Sequence, residues 1–177
     1  MTDQFDIAAG SRTASMVVGE TGSAISEHGS SKGLGNQTDL SLLKWFRSRS
    51  EIVLTSGKTA EADNYRFPRS TGLAILTRSD RSYQSLGNDK AKVLFLKHLD
   101  SYAAAIDELT SLGLSRIHCE FGPSGFVELV KLNLVDGFIS STSKSGIELF
   151  AARHDFRLKD LQAVGEDLLV AQVLGRA

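Results

Sequence analysis

The sequence predicts an α/β fold: a mixed, mostly parallel sheet flanked by helices, finished by a C-terminal antiparallel hairpin. Three observations predict it. The runs EIVLT (51–55), GLAILT (72–77) and KVLFL (92–96) are continuously apolar, as strands buried on both faces of a parallel sheet are. The stretch from Ser115 to Asp136 reads as a strand, a glycine turn, a helix and the approach to a second strand. Phe156 to Val164 and Leu168 to Leu174 read as two strands joined by Gly165-Glu166-Asp167, the composition of a hairpin turn.

Taken in order, residues 1–11 read as a loose leader, and Thr13 to Val18 as the first strand. Gly19 to Gly35, rich in glycine and serine, is a long functional loop, because such lengths without structure are rare inside one domain. Thr38 or Asp39 caps a helix through Arg47 whose apolar side is Leu42, Leu43, Trp45 and Phe46. After Glu51 to Thr55 comes Ser56-Gly57-Lys58-Thr59 with a short helical turn. Arg78 to Lys90 is a polar loop between the next two strands. Asp100 caps the helix from Ser101 to Leu112, and Gly113 ends it. Pro123 suits the first position of the next helix, where its missing N–H costs nothing, and Phe126, Leu129, Val130 and Leu134 give that helix an apolar face. Phe138 to Ser140 and Gly146 to Ala152 are read as strands before the hairpin. The whole of 1–177 is read as one domain.

Composition excludes several classes. The formal net charge of −1 carries no basic excess for nucleic acid. No apolar run is long enough to cross a bilayer. Met1 to Gly10 is acidic and lacks the basic-then-apolar order of a signal peptide. The single cysteine, Cys119, forms no internal disulfide and fits a reducing cytosol; set in an apolar strand, it reads as an inert core thiol. His28, His98, His118 and His154 share no metal-ligand spacing, so no metal is assigned.

Three strand ends, Thr55, Thr77 and Cys119, each open into a turn with phosphate-binding character. In an open α/β sheet the ligand lies across those carboxyl ends. Glu120-Phe121-Gly122, with Pro123, Ser124 and Gly125, places small residues at a helix start, where free N–H groups and the positive dipole end favour phosphate. Ser56-Gly57-Lys58-Thr59 is not a nucleotide-triphosphate P-loop, since Ile52 stands where that motif needs glycine, yet its donors suit a pyrophosphate. Thr77-Arg78-Ser79 sets a guanidinium between two hydroxyls, a fork for the extra phosphate that separates NADP from NAD. A polar turn and a solvated arginine are the ordinary alternatives for these last two. No catalytic triad or carboxylate pair is visible.

Together these residues resemble the pyrimidine reductases of riboflavin biosynthesis, which share the dihydrofolate-reductase fold. CEFGPSGFVELVKLNLVDGF is similar to that family's glutamate-glycine-glycine-proline loop, its helix and the leucine-valine-aspartate strand that follows. SEIVLTSGKTAEADNY resembles its strand, glycine-rich turn, threonine and alanine–acid pair, and SMVVGETGSAISEHGSSKGLGN its first strand and glycine/serine loop. The resemblance implies NADPH as hydride donor and a ribosylaminopyrimidine phosphate as acceptor, reduced at the sugar carbon of its ring-opened imine. Ser56, Gly57, Lys58, Thr59, Gly122, Pro123 and Ser124 then fall on the cofactor side. Ser15, Asp63 and the 29–34 loop with Ser31 fall on the substrate side, and a homodimer is implied.

The chain departs from the family at Thr21 (aspartate in the family), Phe121 (glycine) and Lys58 (glycine), and is short after Ser140. Those departures keep open a non-catalytic nucleotide-binding or dimer-partner protein. A dihydrofolate reductase is the other alternative, through Trp45-Phe46, but Leu42 stands where such enzymes carry the pterin-anchoring acid.

Overall fold

The structure, a computed structural model, describes residues 5–79 and 81–175. Its elements are β1 (Arg12–Val17), α1 (Gln37–Ser48), β2 (Ile52–Ser56), α2 (Gly57–Ala62), β3 (Gly72–Leu76), a 3-10 stretch (Gln84–Lys92), β4 (Leu94–Leu96), α3 (Tyr102–Ser111), β5 (Ile117–Glu120), α4 (Pro123–Lys131), β6 (Asp136–Ser141), α5 (Lys144–Arg153), β7 (Phe156–Val164) and β8 (Leu168–Gly175). The strands form one sheet in the order β4-β3-β2-β5-β1-β6-β8-β7. All pairs from β4 to β6 are parallel, and β8 runs antiparallel to both β6 and β7.

The continuous apolar runs are explained by burial on both sides. Leu54, Ile117 and Ile139 point to the face packed by Ile106 and Leu109 of α3, Phe126 and Leu129 of α4, and Ile147 and Phe150 of α5. Val53, Leu73 and Ile75 point the other way, with Ala60 of α2. Further along that side, Leu42, Trp45 and Phe46 of α1 cover Phe138 and Val170. Alternation thus feeds two cores from each central strand.

The expected mixed sheet and terminal hairpin are present, with Gly165 at φ 65° in the hairpin turn. Four local expectations are corrected. Gly146 to Ala152 lies within helix α5, not a strand: Ile147, Phe150 and Ala151 recur at helical spacing and are all buried, a face a short apolar run does not reveal. Gly146 is required there because a Cβ would collide with the carbonyl oxygen of Gly19. The caps sit earlier or later than read. Asn36 Oδ1 accepts from the Asp39 N–H at 2.9 Å, which frees the Asp39 carboxylate, and Ser101 rather than Asp100 caps α3 by accepting from Ala104 N–H. The polar loop after β3 contains the 3-10 stretch. Within the leader, residues 1–4 lie outside the described residues, but Phe5 is buried edge-on against Trp45. Asp6 carbonyl accepts from Gln162, and Gly10 N–H donates to Asp136.

Candidate functional site

A cleft of about 690 Å³ opens over the carboxyl ends of β1, β2, β5 and β6, a volume within the range of small-molecule sites. Its floor is Ser15, Met16 and Val17 of β1. One wall is the glycine-rich loop (Ala24, Ile25 and 29–33) with Asp39, Leu42 and Leu43 of α1. The other is Ser56, Lys58, Thr59 and Asp63 around α2, with Glu120 to Gly125 at the start of α4.

Two of the predicted turns are tied into one structure. Thr55 Oγ1 donates to the Glu120 carbonyl at 2.6 Å, joining the ends of β2 and β5. One turn later, Ser56 Oγ donates to Thr59 Oγ1 at 2.9 Å, and Thr59 Oγ1 accepts from the Gly122 N–H at 3.1 Å. Two residues expected on the substrate side, Ser31 of the loop and Asp63 at the end of α2, also meet: Ser31 N–H donates to Asp63 Oδ1 at 3.3 Å. Ser15, Ser31, Asp63, Ser56, Lys58, Thr59 and the whole of Glu120 to Gly125 therefore line one cleft.

Four predicted residues do not line it. Gly57 is buried against Thr77 and Tyr83, whose side chains leave no room for a Cβ. Thr77 is buried and donates its hydroxyl to the Ser79 carbonyl at 2.9 Å. Arg78 and Ser79 are exposed beyond the end of β3, although the charge of Arg78 acts on Tyr102 at the cleft edge. That third strand end lies beside the cleft and not within its lining.

At the start of α4, Gly122 is the N-cap at φ −64° and Pro123 takes the first turn, with no side-chain cap. Phe121 is accommodated by burial: only 6% exposed, its ring packs on Tyr102 at a centroid distance of 4.5 Å. Its backbone stays at negative φ, and none of the described peptide bonds is cis. Gly125 makes this possible, since a Cβ there would strike Phe121 Cβ and crowd the Tyr102 hydroxyl.

Sequence reasoning missed the polar groups beneath and beside this lining. Arg47, read only as a helix end, donates from Nε and Nη2 to the two oxygens of Glu120, each at 2.7 Å, and also to the Tyr65 hydroxyl at 2.9 Å. Burial works against the Arg47 charge, but the hydrogen bonds and opposite charge of Glu120 outweigh it and hold the guanidinium charged. Asp39 projects into the cleft, where Ser140 Oγ donates to its Oδ1 at 2.6 Å. Burial raises its pKa, with the Ser140 bond opposing, and among the described residues no cation pairs with it.

His118 is fully buried under the floor, stacked on Phe46 at 5.0 Å and 5°. Its Nδ1 lies 2.8 Å from Thr13 Oγ1 and its Nε2 3.1 Å from Ser15 Oγ. Burial, then the Arg47 charge, pushes its pKa down to about 3, so the ring is neutral. Next to it burial pushes the Cys119 thiol up to about 12, which leaves no thiolate for chemistry. The only local signals for these groups were a polar residue in an apolar strand (His118) and an acid in a first helical turn (Asp39). Among the described residues no three His, Cys, Asp or Glu side chains gather as a metal site, and no helix is long and apolar enough to cross a membrane.

No family model matches this chain, and no curated protein matches its sequence. Solved structures do match its fold. A pyrimidine reductase-like protein from Corynebacterium diphtheriae superposes at TM-score 0.65 with 18% identity, over 92% of this chain and 90% of that one. RibD of Acinetobacter baumannii gives TM-score 0.70 at 15% identity over 94% of this chain, which spans 58% of the RibD chain. The riboflavin biosynthesis reductase Rib7 of Saccharomyces cerevisiae gives 0.59 at 13% identity, over 96% and 92%. At these identities the likeness establishes the fold: the eight-stranded, mostly parallel sheet with its antiparallel end is the one these proteins share.

Proposed function

We propose that the protein is an NADPH-dependent reductase that delivers hydride to a ribosylaminopyrimidine phosphate, at the sugar carbon of its ring-opened imine. The observation that carries this reading is the Thr59 hydroxyl joining the β2–α2 turn to the β5–α4 turn, so that both phosphate-type turns open into one cleft. The residues present suit the cofactor. The N–H groups of Ser124 and Gly125 stand at a helix start with no side-chain cap, Lys58 adds a cation to the lining, and Arg78 lies beside it for the extra phosphate. NADPH, when bound, supplies the hydride. The chain itself binds, orients and supplies hydrogen bonds, with Ser15, Ser31 and Asp63 on the acceptor's side and Asp39 as a carboxylate within the cleft.

Titration with NADPH and NADH tests the reading. NADPH is expected to bind ten- to a hundredfold tighter, about 1.5–3 kcal/mol for a charge-assisted bond to phosphate. Arg78→Ala should weaken NADPH and leave NADH nearly unchanged. Equal losses for both would show that Arg78 does not recognise the phosphate, and failure to bind either would remove the reading.

The second reading, a non-catalytic nucleotide-binding protein, is favoured by Thr21. It carries no carboxylate, lies outside the cleft lining, and lends its carbonyl to Arg153 at 3.3 Å. Acceptor-dependent NADPH oxidation decides between the two. A homodimer belongs to the first reading, and sedimentation showing only a monomer at micromolar concentration would remove it.

A further inference from the structure

Ser15 lies on the cleft floor, and among the described residues its side chain has one polar partner, the buried ring of His118. What Ser15 offers a ligand depends on which ring nitrogen of His118 carries the proton. If Nδ1 carries it, Ser15 must spend its own proton on Nε2 and presents only lone pairs to the cleft. If Nε2 carries it, His118 donates to Ser15 and the serine proton turns outward.

The surroundings favour the second arrangement. Glu120 Oε1 lies 3.7 Å from Nε2, and a carboxylate beside that atom repels a lone pair and attracts an N–H. At the other nitrogen, Thr13 Oγ1 at 2.8 Å is a hydroxyl able to donate to a bare Nδ1. Burial first, and then the Arg47 guanidinium held on Glu120 on the same side, keep the ring from charging. Phe46 closes the ring face at 5.0 Å and offers no hydrogen bond.

We infer that His118 is a positioning residue, held as the neutral Nε2–H tautomer between Thr13 and Ser15, that turns the Ser15 hydroxyl proton into the cleft to meet an acceptor oxygen of the substrate. The ligand class this selects bears a carbonyl or phosphate oxygen at the floor of the cleft. The inference deepens the reductase reading and rests on it for the substrate used below.

The first test needs no ligand. In the full chain labelled with nitrogen-15 histidine, the long-range nitrogen–proton spectrum at pH 7 should show His118 neutral, with Nε2 protonated and Nδ1 bare. A ring protonated at Nδ1, or at both nitrogens, overturns the inference. The second test is affinity for the ribosylaminopyrimidine phosphate, with NADPH affinity measured beside it. Ser15→Ala should weaken the acceptor about three- to tenfold, the loss of one neutral hydrogen bond, while NADPH binding stays unchanged. His118→Phe, which keeps a ring against Phe46, should lower acceptor affinity in the same direction; should that variant fail to fold, Ser15→Ala carries the arm alone. Unchanged acceptor affinity in Ser15→Ala overturns the inference. Wild type that binds NADPH but not the acceptor also overturns it, while the cofactor half of the reading survives. Loss of NADPH binding by wild type removes the reading itself, an outcome distinct from the tautomer result.

Discussion

Arg47 grips both carboxylate oxygens of Glu120, Nε on Oε1 and Nη2 on Oε2, with each bond at 2.7 Å. Glu120 lines one wall of the cleft while Arg47 does not, and the pair occupies both oxygens of that acid. It also leaves Asp39 as a cleft carboxylate without a cationic partner among the described residues.

Breaking that grip is expected to be costly. The Arg47 side chain is 21% exposed and that of Glu120 9%, so removing one partner strands a mostly buried charge. Glu120→Ala should destabilise the fold by about 3 kcal/mol, the lower end for a buried pair because Arg47 retains some water. Urea unfolding of the two proteins measures this; a difference below about 1 kcal/mol would show that solvent screens the pair.

His118 gives the fold a predictable sensitivity to acid. Its folded pKa, about 3, lies below the ordinary 6.5, so below pH 6.5 the unfolded chain binds the proton that the folded chain refuses. Stability from this site is complete above pH 6.5 and falls as pH drops toward 3, by up to about 1.4 kcal/mol per pH unit. Unfolding free energies at pH 7 and pH 5 should fall further for wild type than for His118→Phe. Parallel losses in both would place the proton elsewhere.

Asp39 has the opposite sign. Burial raises its folded pKa, so the folded state favours the protonated acid, and the stability that proton brings is lost as pH rises through the folded pKa. At pH 7 the carboxylate is a burden, and Asp39→Asn, which still offers Ser140 an acceptor, should melt higher than wild type. The gap should close toward pH 4. A lower melting temperature for the variant at pH 7 would contradict the assignment.

Phe121 separates packing from ligand binding. Its ring is buried on Tyr102 and leaves the cleft open, so Phe121→Gly should cost at least about 3 kcal/mol, as for other buried phenylalanines. NADPH affinity, measured by titration where the variant is folded, should be kept or improved. A loss of stability below about 1 kcal/mol would mean the ring is not part of the core.

The sequence by itself determined the mostly parallel character of the sheet, most of its strands and the closing hairpin, because those signals are local, whereas the order of the strands within the sheet came from the tertiary structure. Runs such as Ile52 to Leu54 and Leu73 to Ile75 must be buried on both faces, Pro123 marks a helix start, and Gly165 marks the hairpin. Helix α5 escaped because GIELFAA is a short apolar run that suits a strand as well as a helix, and only burial of Ile147, Phe150 and Ala151 on one side decided it. In the site, the turns at Ser56 to Thr59 and Glu120 to Gly125 were legible as glycine-rich strand ends. What they face was not. The Arg47–Glu120 pair spans 73 residues, Asp39–Ser140 spans 101 and Ser15–His118 spans 103. No local pattern marks such partners. An arginine at a helix end or an aspartate in a first turn reads as a solvated charge until the fold removes its water. The tertiary structure decided their chemistry, since desolvation and a fixed neighbour, not residue type, set which of these groups holds a charge and which a proton.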